Sequence, residues 1–256
     1  MSIELDIDGP VAIVTINRPE RKNAISMAMR REIQDVFLRL QDDDEVRAII
    51  LTGAGTDFSA GADVGEIGGG GIRGQLGSAR ARSRMVRAVA HTQKPVIAAV
   101  EGVCMGMAFS MALACDFIFC SKTARFQFAF RHIGLAMDAA AGWLLERHVC
   151  VMRAKEIAYS GRTVGGTEAE ALGFALSAGE PGCALEQARI MANDLASAPT
   201  LALAEMKRQF ANAPGQTFDE ALEYEIAVQA LMTWTDDFKE GTTAFREKRK
   251  PAYKGA

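Results

Sequence analysis

Several patterns that would indicate other classes of protein are missing from this 256-residue sequence. The five cysteines form no C-x-x-C pair and have no metal-ligand spacing with the three histidines, so we predict no metal site. Most of them lie in apolar surroundings, as reduced thiols of a cytosolic protein would. The 29 basic residues do not outnumber the 32 acidic ones, and the net charge of −3 argues against a nucleic-acid partner.

Signals for export, membrane insertion and phosphate binding are also lacking. The first residues have neither the basic n-region nor the apolar h-region of a secretory signal, and we expect a cytoplasmic protein. Residues 96–120 are largely apolar, but the charge-free stretch between Glu101 and Asp116 is shorter than the roughly 20 residues of a membrane span. Neither a P-loop nor a complete dinucleotide fingerprint occurs. The sequence therefore predicts no membrane partner.

The composition is that of a protein with a buried core, with 49% hydrophobic and 24% charged residues. Residues 3–16 alternate in the manner of a β-hairpin that turns at Gly9 and Pro10, and Ser26 is suited to cap the next helix. Strand and helix patterns then alternate, which predicts crossover connections and a mainly parallel α/β core. The predicted strands cover residues 46–51, 95–100 and 117–120, and the predicted helices cover residues 78–91 and a segment from about 107.

Two further stretches complete the outline. Seven glycines between Gly65 and Gly77 predict a mobile loop beside a cleft. From about residue 185 the pattern is helical only, which is often a sign of an oligomerisation surface. We therefore predict a core over residues 1–195 and a C-terminal helical oligomerisation region over residues 196–256, with no linker isolating the second. The predicted helices there cover residues 188–196, 201–210, 218–232 and 238–248.

Asp138 is the first candidate for acid–base chemistry. It follows the apolar residues 133–137 and precedes a small-residue helix start at 139–142. Partial burial between them would raise the pKa of this carboxyl toward a range where it can both take and give a proton. An ordinary helix N-cap is the structural alternative.

Two turns that contain glycine each lead from a strand pattern into a helix pattern. They cover residues 58–63 and 101–108. Taken singly, each could be no more than a tight connection. Together they could supply two backbone N–H groups for an oxyanion, and with Asp138 they indicate a proton-shuttling enzyme for a carbonyl or thioester substrate.

The order of these features resembles one family over nearly the whole chain. With Asn17-Arg18-Pro19 and Asn23-Ala24 before the two turns and Asp138 after them, the sequence is similar to the enoyl-CoA hydratase/isomerase (crotonase) family. Further matches lie at residues 94–102, 112–116 and 239–251. The resemblance implies an α/β protein with a crotonase-like ββα spiral core and a helical C-terminal region, assembled as a homotrimer or a dimer of trimers. It also implies an acyl-CoA substrate and no cofactor beyond the coenzyme A moiety of that substrate.

The resemblance also assigns roles to residues. It places the oxyanion hole at the N–H groups of Ala62 and Met107, the second at a helix N-terminus, where free N–H groups favour an anion. The positions that it implies for coenzyme binding are Arg21, Lys22, Ala24, Ala60, Asp63, Val64, Phe245 and Lys248.

The carboxylates distinguish between members of the family. The two glutamates of typical hydratases fall on Ser110 and Phe130, which cannot act as carboxylates, so the two-glutamate mechanism is absent. Asp138 falls where the Δ3,Δ2-enoyl-CoA isomerases and their ring-handling relatives carry one acid. We therefore predict that Asp138 moves a proton from C2 to C4 while Ala62 and Met107 hold the thioester oxygen.

An acyl pocket is expected around this acid, lined by Phe130, Leu135, Met137 and Trp143. Ordinary core packing is the alternative for each of them. Three other functions stay open: a hydratase acting through Asp138 alone, an inactive binding or assembly protein, and an aryl-CoA dehalogenase-like enzyme, whose catalytic histidine would fall near Ser83. A local basic run indicates a solvated helix face or, alternatively, a phosphate-bearing ligand; it comprises Arg73, Arg80, Arg82, Arg84 and Arg87.

Overall fold

The computed structural model describes residues 2–66 and 71–255. Its strands are β1 (Ile3–Asp8), β2 (Val11–Ile16), β3 (Ala48–Gly53), β4 (Val96–Val100), β5 (Val103–Met105), β6 (Phe117–Ser121), β7 (Arg125–Gln127), β8 (Thr163–Gly165) and β9 (Ser177–Gly179). Its helices are α1 (Met27–Gln41), α2 (Gly71–His91), α3 (Met107–Leu113), α4 (Ala141–Val149), α5 (Val151–Ser160), α6 (Gly166–Leu172), α7 (Ala184–Ala196), α8 (Thr200–Asn212), α9 (Phe218–Met232) and α10 (Asp236–Glu247). Short 3-10 helices cover Pro19–Arg21, Val64–Glu66, Ala129–Ile133 and Ala213–Gly215.

Two sheets organise the core. The larger sheet has the strand order β1-β2-β3-β4-β6-β9, and only its β1–β2 hairpin is antiparallel. The smaller sheet has the order β5-β7-β8. Strand β4 of the large sheet leads through Glu101 and Gly102 into β5 of the small one, and α3 follows directly. This succession of two strands and a helix confirms the predicted mixed α/β fold and brings the second glycine turn to the start of α3.

The large sheet is covered on both faces, as its continuous apolar strands predict. One face packs on α7, which presents Ala184, Ala188, Ala192 and Ala196 at four-residue intervals to residues such as Ile50 and Ile97. Small side chains let this helix lie close to the sheet. The other face, with Val14, Leu51 and Val100, packs on α1, α2 and α3 in the main core. The functional turns and Asp138 lie on this second side, near the small sheet.

Most of the predicted elements are confirmed, although several boundaries shift. The Ser26 hydroxyl caps α1 by accepting from the Met29 N–H at 3.3 Å, as expected. Strand β3 covers 48–53, two residues later than predicted. Helix α2 begins at Gly71, so the glycine-rich 71–77 segment is helical where a loop was predicted. Extending a packed helix costs far less than nucleating one, so weak helix formers can follow it. The rest of the predicted loop, residues 67–70, lies outside the described residues.

The C-terminal helices are fixed to the core by one arginine and to the chain end by one aspartate. Arg47, at the start of β3, donates to the carbonyls of Tyr253 at 3.1 Å and Ala198 at 2.7 Å. The buried carboxylate of Asp237 in α10 accepts from the N–H groups of Lys254 and Gly255 at 2.7 and 2.8 Å. None of the helices in the described ranges is long and apolar enough to cross a membrane.

Candidate active site

The two glycine turns run side by side, although 39 residues of sequence separate 58–61 from 101–105. The N–H of Ser59 donates to the carbonyl of Val103 at 2.8 Å, and the N–H of Met105 returns to the carbonyl of Ser59 at 3.0 Å. Gly61 has φ +90°, and a Cβ added to it would lie 2.5 Å from the carbonyl oxygen of Met105. Only glycine allows the turns to approach this closely.

Both predicted oxyanion donors lie at this contact. Ala62 follows Gly61, and Met107 begins α3 directly after Gly106, whose φ of +53° turns the chain into the helix. A Cβ at Gly61 would lie 3.6 Å from the Met107 nitrogen, so the two turns meet beside that atom. Neither N–H donates to a protein acceptor within residues 2–66 and 71–255. The two backbone donors therefore lie close to the contact between the turns, and their role as an oxyanion hole stays a prediction.

A buried asparagine supports the first turn. Asn23 is fully buried, and its Nδ2 donates to the carbonyls of Ala54 at 2.9 Å and Asp57 at 2.6 Å. Its Oδ1 accepts from the N–H of Arg18 at 2.9 Å. The hydroxyl of Ser59 donates to the Asn23 carbonyl at 2.7 Å. The sequence pattern included Asn23 but gave it no role, and its φ of +56° is a conformation that asparagine tolerates better than most residues.

The segments predicted to hold the coenzyme are also brought together. The Ala60 N–H donates to the Lys22 carbonyl at 2.8 Å, and Ala24 N–H donates to the Arg21 carbonyl at 3.1 Å. Val64 is 74% exposed next to them. One open edge therefore carries positions from both the early motif and the first turn.

Asp63 connects the same edge through ion pairs. Its Oδ2 accepts from Nη1 of Arg18 at 2.7 Å, and its Oδ1 accepts from the Gly65 N–H at 3.1 Å and lies 3.6 Å from Nη2 of Arg21. The hydrogen bonds from Arg18 and Gly65 lower the pKa of this carboxyl below its ordinary value. Asp63 is thus a fixed anion that orients two arginines.

The two C-terminal candidates do not join this edge within the single chain. Phe245 lies on α10 and is 86% exposed. Lys248 ends α10 in a left-handed conformation. Neither side chain forms a hydrogen bond or ion pair with 21–24 or 60–64 in the described part of the chain. Their role in coenzyme binding stays a prediction.

Asp138 lies on an irregular segment between the 3-10 helix Ala129–Ile133 and α4. Ala139 and Ala140 have φ values of +51° and +61°, so α4 begins at Ala141, two residues later than the predicted start at 139. The N-cap position is Ala140, and the interpretation of Asp138 as an N-cap is therefore wrong. Its carbonyl accepts from the Ala141 N–H at 3.0 Å, while its carboxylate is directed elsewhere.

The carboxylate of Asp138 pairs with an arginine that the sequence reasoning missed. Nε of Arg82 lies 2.6 Å from Oδ2, and the two side chains are 18% and 29% exposed. Burial raises the pKa of Asp138 above its ordinary value, although the charges of Arg82 and Arg30 oppose that rise. Oδ1 is buried and has no hydrogen-bond partner among the residues that the structure describes.

Arg82 and Arg30 meet at one serine. Nη1 of each donates to the hydroxyl oxygen of Ser78 at 2.8 Å. Arg30, on α1, is 1% exposed, and burial lowers its pKa. Sequence spacing held a usable signal, because Ser78 and Arg82 are four residues apart and share the face of α2 that buries Met85. The other four arginines of the basic run (Arg73, Arg80, Arg84 and Arg87) are exposed.

Ser110 lies beside Asp138, and the ring of Phe130 lies near Gly106. The Ser110 hydroxyl donates to the carbonyls of Gly106 and Asp138, both at 3.4 Å, and Ser110 is fully buried. The ring of Phe130 stacks on Phe128 with centroids 5.9 Å apart. Neither residue adds an acid or a base to the site.

The remaining acyl-pocket candidates, Leu135, Met137 and Trp143, are exposed in the single chain. Leu135 and Met137 are 49% and 40% exposed on the Asp138 segment. Trp143 lies under the guanidinium of Arg147, 3.4 Å from its ring centroid, and lines a surface cavity with residues 211–216. Their part in acyl binding stays a prediction. In the described ranges, no group of three His, Cys, Asp or Glu side chains could hold a metal ion.

Solved structures with the same fold define the class of this protein. A structure described as a putative enoyl-CoA hydratase from Streptomyces coelicolor A3(2) superposes with a TM-score of 0.96, with 34% identity, over 100% of this chain and 95% of that one. The protein therefore has the crotonase fold. The family model described as enoyl-CoA hydratase/isomerase matches residues 6–256. The chain belongs to the enoyl-CoA hydratase/isomerase family.

Relatives within the family carry out different reactions. The 1,2-epoxyphenylacetyl-CoA isomerase of Escherichia coli (strain K12) is 32% identical over 97% of both chains. The 4-chlorobenzoyl coenzyme A dehalogenase-2 of Arthrobacter sp is also 32% identical, over 93% of this chain and 88% of that one. Overall similarity therefore does not identify the reaction of this protein. The side chains of the site are the better guide to it.

Proposed function

We propose that the protein is an enoyl-CoA isomerase that moves a Δ3 double bond of a coenzyme A thioester to the Δ2 position. The observation that supports it best is a site with one acid–base group. Asp138 is a half-buried carboxyl whose pKa is raised by burial, and its Oδ1 has no hydrogen-bond partner among the described residues. Ser110 and Phe130 supply no second carboxylate.

The chemistry requires one acid–base group because no proton is gained or lost overall. Ionised Asp138 takes a proton from C2 of the 3-enoyl thioester, and the negative charge moves to the thioester oxygen. The N–H groups of Ala62 and Met107 would stabilise that oxygen, and one such donor typically lowers the barrier by about 3 kcal/mol. Asp138 then returns the proton at C4, which gives the conjugated 2-enoyl product.

The same proposal includes the coenzyme and the assembly. The edge formed by 21–24 and 60–64 would hold the coenzyme A moiety, with Arg21 and Lys22 as the nearest cations. Phe245 and Lys248 would complete that site in a homotrimer or a dimer of trimers, in the cytoplasm. The reaction would need no cofactor beyond the substrate's own coenzyme A.

A hydratase acting through Asp138 alone is the second candidate. The structural relative described as a putative hydratase supports it, at 34% identity. It would require one carboxyl to activate water and also to protonate C2. Dehalogenation has weaker support, because the relevant position near Ser83 is an exposed serine on α2 instead of a histidine.

The test is the turnover of a short 3-enoyl-CoA, followed by the absorbance of the conjugated product. Asp138→Asn should lower kcat by a factor of about 10² to 10⁴, the usual contribution of a general acid–base. Asp35→Asn, on the exposed side of α1, is the matched control and should behave as the parent does. Water addition to 2-enoyl-CoA without isomerisation would favour the hydratase. If neither reaction occurs, the proposal is wrong and aryl-CoA thioesters should be assayed.

A further inference from the structure

The cluster of Arg30, Ser78, Arg82 and Asp138 lies next to the proposed reaction but has no assigned part in it. It joins three separate elements: Arg30 comes from α1, Ser78 and Arg82 come from α2, and Asp138 precedes α4. Arg30 and Ser78 are 1% and 8% exposed. Long-range contacts of this kind between buried polar groups are costly unless the groups are paired.

The geometry divides the carboxylate of Asp138 into two unlike oxygens. Oδ2 lies 2.6 Å from Nε of Arg82. Oδ1 is buried and is not hydrogen-bonded within the described residues. A carboxylate held through one oxygen keeps a defined orientation, which is what a proton shuttle between C2 and C4 needs.

We infer that Arg82 is a positioning residue for Asp138: its ion pair with Oδ2 fixes the orientation of the carboxylate that carries the proton between C2 and C4. This inference rests on the proposed function, because it assumes that Asp138 is the base. Arg82 does not touch the reacting carbons in this role. It acts through the carboxylate that does.

Ser78 and Arg30 fix Arg82 in turn. The Ser78 hydroxyl oxygen accepts from Nη1 of Arg82 and from Nη1 of Arg30, both at 2.8 Å. One oxygen therefore binds two guanidinium groups, which holds Arg82 at its far end while Nε lies against Asp138. An arginine in that position loses little further freedom when the substrate binds.

The charges around Asp138 come from few sources. Arg82 on α2 and Arg30 on α1 are the two cations that act on it, and both lower its pKa against the effect of burial. From α3 the Ser110 hydroxyl reaches the Asp138 carbonyl, which leaves the carboxylate unaffected. The charges of Glu66 and Asp63 act on Arg30 and raise its pKa against the effect of burial. Removal of Arg82 should therefore raise the pKa of Asp138 further.

The test measures kcat for a 3-enoyl-CoA, and kcat/KM as a function of pH. The proteins are the parent, Arg82→Gln and Arg82→Lys, with Arg84→Ala as the matched control. Arg84 lies on the same helix, is exposed and forms no ion pair in the described part of the chain. Arg82→Gln should lower kcat about 10²-fold, the usual effect of misplacing a catalytic group by about 1 Å. The acid limb of its kcat/KM–pH profile, where Asp138 becomes protonated, should move to higher pH.

Arg82→Lys separates charge from geometry. It keeps a cation but cannot reach both Ser78 and Asp138 with a planar fork. Its acid limb should stay near that of the parent, while kcat recovers only in part. Circular dichroism and gel filtration of each variant establish that it is folded, and a variant that fails this check is replaced by Ser78→Ala, which loosens Arg82 without removing it.

The outcomes distinguish this inference from the proposed function. If Asp138→Asn is inactive and Arg82→Gln lowers kcat without moving the acid limb, Arg82 is only structural and the inference is wrong. If Asp138→Asn keeps its isomerase activity, the proposed function itself fails. If the acid limb of the pH profile shifts in Arg82→Gln and stays unchanged in Arg82→Lys and Arg84→Ala, the inference and the proposed function are both supported.

Discussion

Asp63 and Asp138 each pair with an arginine, yet their pKa values shift in opposite directions. Asp63 accepts hydrogen bonds from Arg18 and from the Gly65 N–H, and these bonds lower its pKa. Asp138 has a single arginine close to Oδ2, and burial raises its pKa instead. An arginine next to a carboxylate therefore does not by itself fix the direction of the shift, which depends on how many donors replace the lost water.

The surroundings of the two residues differ in the same way. The turn before Asp63 is held by the buried Asn23 and by hydrogen bonds from Ser59 to both neighbouring segments. The segment that follows Asp138 has left-handed residues at Ala139 and Ala140. A firmly bonded turn suits a site of fixed N–H donors, whereas a carboxyl with few donors suits proton transfer.

The largest expected effect comes from pushing the two turns apart at Gly61. In Gly61→Ala the new Cβ would lie 2.5 Å from the Met105 carbonyl oxygen, so the first turn must move away from the second. Because that movement separates the N–H groups of Ala62 and Met107, we expect kcat/KM to fall about 10² to 10³-fold. The measurement is the isomerase assay on protein shown to be folded.

Gly9→Ala controls for backbone strain in this test. Gly9 also has a positive φ, +56°, but a Cβ there would have nothing within 4 Å. The strain costs about 1 kcal/mol, and activity should be retained. Equal activity of Gly61→Ala and the parent would show that the close approach of the turns does not set the donors.

A second prediction compares the two carboxylates by their effect on stability as pH changes. The folded pKa of Asp63 is lowered, so its contribution to stability is present above about pH 4 and is lost as pH falls through the folded pKa. The folded pKa of Asp138 is raised, because burial disfavours its charged form. Its neutral form is buried without this cost below about pH 4, and its ionisation destabilises the fold as pH rises through the folded pKa.

Urea unfolding of the parent, Asp63→Asn and Asp138→Asn between pH 4 and pH 8 measures this difference. The free energy of unfolding of Asp63→Asn should be lower than that of the parent by about 2 kcal/mol near neutral pH, the usual value of hydrogen bonds to a charged group. That deficit should grow with pH. The parent's advantage over Asp138→Asn should shrink with pH. If the difference in free energy of unfolding from the parent changes with pH in the same direction for both variants, the opposite pKa shifts are contradicted.

Sequence patterns predicted the long elements of the fold well and missed the short ones. The β1–β2 hairpin, α1 and the four C-terminal helices have enough residues for a clear period, and the structure confirms them. Strands β7, β8 and β9 have three residues each, too few for any alternation to be recognised. Between 125 and 179 the sequence predicted only the helix start after Asp138, and the other elements are known from the structure alone.

The site also has features that the sequence predicted and contacts that it missed. Asp138 and the two turns could be found because their residue types and order are local features. The pairing of Arg82 with Asp138 and of Arg30 with Ser78 could not, because a run of arginines on a helix ordinarily indicates a solvated face. The contacts depend on how α1, α2 and the segment before α4 pack together, which sequence spacing does not specify.

The smallest expected effect compares two fully buried serines, one from each region. Ser59 donates to the Asn23 carbonyl at 2.7 Å and accepts from the Gly61 N–H at 3.1 Å. The Ser110 hydroxyl makes two contacts of 3.4 Å, to carbonyls that each accept a second, shorter hydrogen bond from a backbone N–H. Ser59→Ala should therefore lower the free energy of unfolding by about 1 to 3 kcal/mol, and Ser110→Ala by about 0.5 kcal/mol or less.

The same pair tests whether Ser110 retains any chemical role at the position of a hydratase glutamate. Since its hydroxyl is 3.4 Å from the Asp138 carbonyl and donates nothing to the carboxylate, Ser110→Ala should keep kcat within about twofold of the parent, the rate equivalent of about 0.5 kcal/mol. A loss of kcat tenfold or more, with stability unchanged, would place Ser110 in the reaction. It would then favour water activation, and so the hydratase, over a shuttle by Asp138 alone.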